Sequence, residues 1–227
     1  MPTHTTAGTM GPMRNEPSGR DNPRRPAFFS PAAMEAQGGT VPDPAQVTEI
    51  AHDTAAVLVG RGRAAQYPEL TARLVALVDE LGLSTVAELW ADRPARSLPG
   101  ALWRLYALRE WVQRNPEEAS ADYAEGIRFT DVNHAVAGVA EPPGPEELKG
   151  LTDTILRGVF DGDFSLALQR AAAFCRVVAA GRAERAHTTD ASDREAAGAQ
   201  TRRAASMLTT AEDLEASARL WQAGELL

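Results

Sequence analysis

Proline at the start of apolar, periodic segments is the feature that most constrains how this chain can fold. Four such segments begin at Pro44, Pro68, Pro116 and Pro145, and Asp43 and Asn115 precede two of them as capping residues. Proline suits the first helical position, because its fixed φ is helical and its missing N–H has no intrahelical partner to lose. No segment shows the alternation of β-branched and polar residues that is typical of a strand. The sequence therefore predicts an all-α bundle of about six or seven helices.

The helix signals divide the chain into four predicted parts. Residues 1–42 are rich in Pro, Gly, Thr and Arg with little apolar periodicity, which predicts a disordered N-terminal tail. Residues 43–181 form the predicted helical domain. Residues 182–203 are polar and show no apolar stripe, so we predict a flexible linker there. This linker would tether a C-terminal amphipathic helix over residues 204–227.

One predicted helix starts at Pro68 and ends at Gly82, which supplies a stop signal. Its apolar residues fall on one helical face, made of Leu70, Leu74, Leu77, Val78 and Leu81. We expect that face to pack against the bundle.

Charge and composition exclude several classes of function. The net charge is −8 and the isoelectric point is about 5.1, which argues against binding to nucleic acid or to an anionic membrane. One lysine, Lys149, stands beside 22 arginines, a skew that indicates a bacterium with a GC-rich genome. No apolar run approaches the roughly 18 residues of a membrane span, and the N-terminus lacks the apolar core of a secretory signal. We expect a cytoplasmic protein that contacts neither membrane nor nucleic acid.

The sequence contains no pattern that would hold a metal or a cofactor. Its one cysteine, Cys175, and its four histidines are too few for a zinc centre or a multi-histidine site. Nucleotide-binding, hydrolase and metalloprotease motifs are missing from the sequence. Asp161 and Asp163 resemble the start of a calcium loop, but Ala172 stands where that loop carries its glutamate. We therefore predict no cofactor and no catalytic residue, and we lean towards a protein that is not an enzyme.

Residues 97–116 combine two tryptophans, a tyrosine and several arginines around one broad apolar arc. Trp103, Arg104 and Trp111 lie at or beyond the borders of that arc. Tryptophan and arginine are common anchors of protein interfaces, so these three are predicted partner contacts. Leu214 and Trp221 on the terminal helix are predicted contacts as well, because an amphipathic helix can dock in a partner's groove. The alternative is that both helices simply pack inside this chain's own bundle.

Arg109 falls inside the apolar arc, where a guanidinium needs a carboxylate or several carbonyl groups. Asp131 and His134 form the one plausibly structured place where an imidazole stands close to both a carboxylate and an amide. Two functions remain open. The first is a non-enzymatic adaptor, regulator or assembly factor that binds a protein partner of unknown identity, in an oligomeric state left open. The second is a small-ligand binder or small enzyme with a polar pocket around Arg109, Asp131 and His134.

Overall fold

The computed structural model describes residues 43–64, 68–138, 143–190 and 192–226, with the backbone alone at 61, 63, 64, 131, 132 and 134. Every regular element in these ranges is a helix, which confirms the all-α bundle. In chain order the helices are α1 (Pro44–Ala64), α2 (Pro68–Val75), α3 (Leu77–Leu81), α4 (Leu83–Trp90), α5 (Leu98–Arg114), α6 (Pro116–Ile127), α7 (Asp131–Ala137), α8 (Pro145–Asp161), α9 (Phe164–Asp190) and α10 (Arg194–Ala223). The tail predicted over residues 1–42 lies outside the described residues.

Helix α9 is the central element of the bundle. It packs against α6, α7, α8 and α10, while α8 packs against α1, α2, α5 and α6. Phe164, Leu168 and Phe174 on α9 are fully buried, as are Leu148 and Phe160 on α8. These two helices therefore join the N-terminal and C-terminal halves of the described chain around one core.

Helices α9 and α10 form a long antiparallel hairpin with small residues at every seventh position. The buried small residues are Ser165, Ala172, Ala179 and Ala186 on α9 and Ala197, Ala204, Ala211 and Ala218 on α10. The hydroxyl of Ser165 donates to the carbonyl of Ala218 at 3.4 Å, which places the two series in antiparallel register. Because the distance between helix axes depends on the side chains at the contact, small residues allow a close approach along the whole hairpin.

The structure differs from the prediction of a flexible linker over residues 182–203, because residues 182–190 and 194–203 are helical. Helix α9 continues to Asp190, and α10 begins at Arg194 rather than at residue 204. Asp193 caps α10, its carboxylate accepting from the backbone N–H of Ala196 at 2.9 Å. Alanine favours helix strongly but contributes little to an apolar stripe, so the heptad of alanines gives no amphipathic signal in the sequence. The C-terminal helix is part of the one compact unit that contains all the described residues.

Candidate functional site

An apolar groove of about 380 Å³ lies between α1, α3 and α4. Val86 and Trp90, both on α4 and both buried, line its floor, while Val57, Leu81 and Leu89 line its edges. The volume lies within the range of roughly 300–1,000 Å³ that is typical of binding pockets in proteins. We call these five residues and the space between them the α1/α3/α4 groove.

The edges of the α1/α3/α4 groove expose large apolar side chains to solvent. Val57 is 51% exposed, Leu81 53% and Leu89 37%. Ile50 is also 51% exposed and precedes Val57 by seven residues, which places both on one face of α1. A contiguous exposed apolar patch is a marker of an interaction site, whereas single exposed apolar residues are normal. The patch therefore extends from the groove towards the start of α1.

Three polar groups in the lining of the groove are already hydrogen-bonded inside the chain. The indole N–H of Trp90 donates to the hydroxyl of Thr54 at 3.3 Å, and that hydroxyl donates to the carbonyl of Ile50 at 2.8 Å. The hydroxyl of Thr85 donates to the carbonyl of Leu81 at 2.9 Å. These groups have little capacity left for a ligand, so the groove offers mainly methyl groups and ring carbons. Its chemistry is the burial of an apolar segment.

One acidic side chain, Asp53, lines the groove, and three more exposed carboxylates lie close in sequence to residues that line it. Glu49 and Asp53 on α1, Glu88 on α4 and Asp92 just after α4 are all exposed, and Asp53 also contributes to the lining. Exposed carboxylates of one sign favour a ligand with complementary charge at its ends and speed its encounter. An apolar segment with basic flanking residues therefore fits this surface best.

The predicted partner contacts on α5 are engaged within the bundle. Trp103 and Trp111 are partly buried and pack against the hydrophobic core. The Arg104 guanidinium donates to a carboxylate oxygen of Asp213 on α10 at 3.3 Å. The guanidinium of Arg182 lies over the Trp111 ring, 5.0 Å from its centroid. Each of the three side chains thus contributes to packing between helices.

Trp111 borders a polar cleft of about 440 Å³ whose charged groups pair with one another. Arg182, 6% exposed, donates to the Asp122 carboxylate at 2.8 Å and to Glu118 at 3.1 Å. Arg203 lies 3.9 Å from Glu118, with 64% of its side chain exposed. Buried ion pairs of this kind fix the arrangement of neighbouring helices more than they add to stability. The cleft is best explained as a structural contact between α6, α9 and α10.

The two predicted contacts on α10 have different positions. Leu214 is fully buried in the core, so a partner could reach it only if α10 left the bundle, and its role as a partner contact stays a prediction. Trp221 is partly buried, and its ring meets the ring of Phe164 edge-on with centroids 4.7 Å apart. Its remaining exposed surface leaves its role in partner binding as a prediction.

The expectation that Arg109 needs a carboxylate is confirmed, because two carboxylates bind it. Its Nε donates to Asp153 at 2.6 Å, and its two terminal nitrogens donate to both oxygens of Asp79 at 3.0 and 3.1 Å. Burial alone would lower the pKa of Arg109, but the hydrogen bonds to Asp79 and Asp153 outweigh this effect and raise it. The guanidinium is therefore held as a cation that joins α3, α5 and α8.

The polar pocket predicted around Arg109, Asp131 and His134 stays a prediction. Asp131 and His134 lie on α7, which packs against α9, and their side chains lie outside the described part of the structure. The carboxylates that bind Arg109 come from α3 and α8 instead. Among the described residues no three His, Cys, Asp or Glu side chains cluster as a metal ion would require.

Sequence reasoning missed the α1/α3/α4 groove because it assigned Leu81 to a single long apolar face. The structure divides that segment at Ala76, so that Leu81 belongs to the separate short helix α3, which ends at Gly82 (φ +83°) as predicted. The break turns Leu81 outward while Leu74 and Val78 stay buried. Gly82 marks the end of α3 in the sequence, but no residue signals the break at Ala76, and the direction of Leu81 depends on how α3 packs.

Comparisons with known proteins leave the geometry as the source of any functional inference. None of the helices in the described part of the chain has the length and apolar character needed to cross a membrane. No protein-family model, no curated protein and no solved structure matches this chain.

Proposed function

We propose that the protein acts by binding another protein, and that the α1/α3/α4 groove accepts a short apolar segment of that partner. The observation that carries the proposal is that Val57, Leu81 and Leu89, each more than one-third exposed, surround a single groove. This supports a role as an adaptor, regulator or assembly factor, with the cytoplasm as the expected location. The carboxylates at and near the groove favour a partner segment with basic flanking residues.

The exposed fractions set the free energy that docking can gain. Burying a Val or Leu side chain completely is worth about 1.5–3 kcal/mol. Val57, Leu81 and Leu89 are 51%, 53% and 37% exposed, so covering them gains roughly half of that each, or about 2–4 kcal/mol in all. The apolar surface of the partner adds a similar amount, against the entropy lost on association. Removing one of the three side chains is therefore expected to weaken binding about tenfold, since 1.4 kcal/mol is a factor of ten.

A displayed library of random peptides, selected on the full chain, tests the proposal. Selected peptides are synthesised and their Kd is measured on the wild-type chain and on the Leu81→Glu and Leu89→Glu variants. We expect peptides rich in apolar residues with basic ends, and at least a tenfold weaker Kd on both variants. Both side chains are exposed, so far-UV circular dichroism and the melting temperature should change little.

Leu166→Glu is the matched control, because Leu166 is 49% exposed and lies on α9, away from the groove. Its Kd for the same peptides should stay within about twofold of wild type, as for a surface change that touches no binding site. The proposal that the groove is the binding site would be refuted if the Leu81→Glu and Leu89→Glu variants are folded and bind every selected peptide as tightly as wild type. Loss of binding on Trp103→Ala or Trp111→Ala instead would transfer the proposal to the predicted contacts on α5.

A further inference from the structure

We infer that Asp79 is a positioning residue for the α1/α3/α4 groove, because its ion pair with Arg109 sets the direction in which α3 presents Leu81. The inference rests on the proposed function, since it explains how one edge of the same groove is held in place. Helix α3 is five residues long, from Leu77 to Leu81, and an isolated helix of that length is not stable in water. Its position therefore depends on contacts with the rest of the bundle.

The side chains of α3 divide between the groove, the core and an anchoring contact. Leu77 and Leu81 both line the groove and are four residues apart, so they share one face of the helix. Asp79 lies midway between them in sequence, which places it on the opposite face, since each residue advances by about 100°. Val78 is buried in the core. The ion pair of Asp79 thus holds the face of α3 that is opposite the groove.

The geometry of this ion pair fixes an orientation as well as a distance. The two terminal nitrogens of Arg109 donate to the two oxygens of Asp79 at 3.0 and 3.1 Å, and a bidentate pair adds geometric specificity to its energy. The Arg109 side chain is only 8% exposed. Its Nε is held by Asp153, which accepts at 2.6 Å. Arg109 is therefore a fixed point on α5 against which α3 is oriented.

The same helix, α5, also holds other parts of the groove. Tyr106 precedes Arg109 by three residues and donates its hydroxyl to the carbonyl of Leu74, near the end of α2, at 2.6 Å. The Tyr106 ring contacts the ring of Trp90 on the groove floor, with centroids 6.2 Å apart. Helix α5 thus holds the floor of the groove, the segment that leads into α3, and α3 itself.

Asp79→Asn and Asp153→Asn are a matched pair of variants, made in the full chain. Each removes one of the two carboxylates that bind Arg109 and keeps the shape of the side chain. They differ in position, because Asp153 lies on α8, and none of the described residues that line the groove is on α8. A general loss of stability would therefore affect both variants, whereas a loss of positioning affects Asp79→Asn alone.

The probes are the library peptides selected on the wild-type chain. We expect Asp79→Asn to weaken their Kd about fivefold, which corresponds to about 1 kcal/mol and is the upper end for a partly exposed ion pair. Asp153→Asn should bind them within about twofold of wild type. Equal Kd values for the two variants would overturn the inference. If either Asn variant does not fold, Asp79→Glu and Asp153→Glu replace the pair, because they keep the charge and displace it by one methylene group.

Amide hydrogen exchange in the free chain tests the positioning without any peptide. The backbone N–H groups of Asp79 and Glu80 donate to the carbonyl of Ala76 at 2.9 and 3.1 Å. Their exchange should become about fivefold faster in Asp79→Asn than in Asp153→Asn, because α3 then opens locally at a lower free energy. The same exchange rates at α3 in both variants would contradict the role of Asp79.

A double-mutant cycle identifies the side chain through which Asp79 acts. In a Leu81→Ala background, Asp79→Asn should change the peptide Kd by less than about twofold, because the side chain that it positions is missing. In a Leu89→Ala background the fivefold effect should persist, because Leu89 lies on α4. Effects of equal size in the two backgrounds would show that Asp79 does not act through Leu81.

The proposed function fails by a different result. Library peptides that bind Leu81→Glu and Leu89→Glu as tightly as wild type refute the groove as the binding site. If those two variants lose binding while Asp79→Asn and Asp153→Asn bind alike, the groove remains the binding site and only the role of Asp79 is refuted.

Discussion

Substituting Gly181 with alanine should destabilise the protein, although alanine normally stabilises a helix. Helices α6 and α9 cross at Gly126 and Gly181, where a Cβ added to Gly181 would overlap the Asp122 carbonyl and lie 2.7 Å from the Gly126 nitrogen. These are backbone atoms, so no side-chain rotation relieves the overlap and the two helices have to separate. The same crossing places Asp122 beside Arg182, so separation also weakens a buried ion pair.

The magnitude follows from two opposing terms. Overpacking in a closely packed interior costs about 1–3 kcal/mol, and we take the upper end because backbone must move. The helix propensity of alanine over glycine returns about 1 kcal/mol. The net loss is therefore about 2 kcal/mol or more, which for a protein of this size lowers the melting temperature by about 4–8 °C.

Thermal and urea unfolding followed by far-UV circular dichroism measure this change. Gly150→Ala on α8 is the matched control, because a Cβ there would meet nothing within 4 Å and should raise stability by up to about 1 kcal/mol. A Gly181→Ala variant that is as stable as Gly150→Ala would show that α6 and α9 do not touch at this point. The close helix crossing would then be wrong.

Three further predictions concern the interior. Replacing both Asp79 and Asp153 with Asn should lower the free energy of unfolding, measured in urea, by about 3–5 kcal/mol, because it leaves a buried cation without a counterion. Arg109→Leu should cost less, because the two carboxylates that it leaves behind can be hydrated. A smaller loss for the double variant than for Arg109→Leu would contradict this reasoning. Burial raises the pKa of the Cys175 thiol to about 12 from a usual 9.0. Between those pH values the unfolded thiol ionises while the folded one keeps its proton. The free energy of unfolding of the wild type should therefore fall with rising pH more steeply than that of Cys175→Ala, by about 1.4 kcal/mol per pH unit. Parallel pH profiles of the two proteins would refute the burial of the thiol. Ala211→Leu should lower the free energy of unfolding by about 1–3 kcal/mol in the same assay, because the fully buried Ala211 leaves no space for a larger side chain; an unchanged midpoint would contradict the close α9–α10 packing.

Local signals predicted the parts of the fold that depend on neighbouring residues in sequence. The predicted cap at Asp43 is present, its carboxylate accepting from the backbone N–H of Ala45 at 3.0 Å. The predicted cap at Asn115 is wrong, because its side chain makes no capping hydrogen bond and instead donates to the carbonyl of Trp111 at 3.0 Å. The prediction for Arg109 succeeded for an equally local reason, since a charge inside an apolar arc requires a counterion wherever the arc packs. The sequence could not predict which carboxylates pair with Arg109, because Asp79 and Asp153 are 30 and 44 residues away from it.

The helices over 182–190 and 194–203 and the α1/α3/α4 groove could be recognised only in the tertiary structure. Alanines seven residues apart on α9 and α10 carry almost no apolar signal by themselves, and they become a packing surface only when two such helices lie side by side. Leu81 has the same apolar side chain as Leu74, and packing alone decides that one is exposed and the other buried. By itself the sequence determined that the chain is helical and where several helices begin, because capping and proline act within one turn. Only the tertiary structure decided which apolar side chains remain in contact with water, because burial depends on what other helices cover.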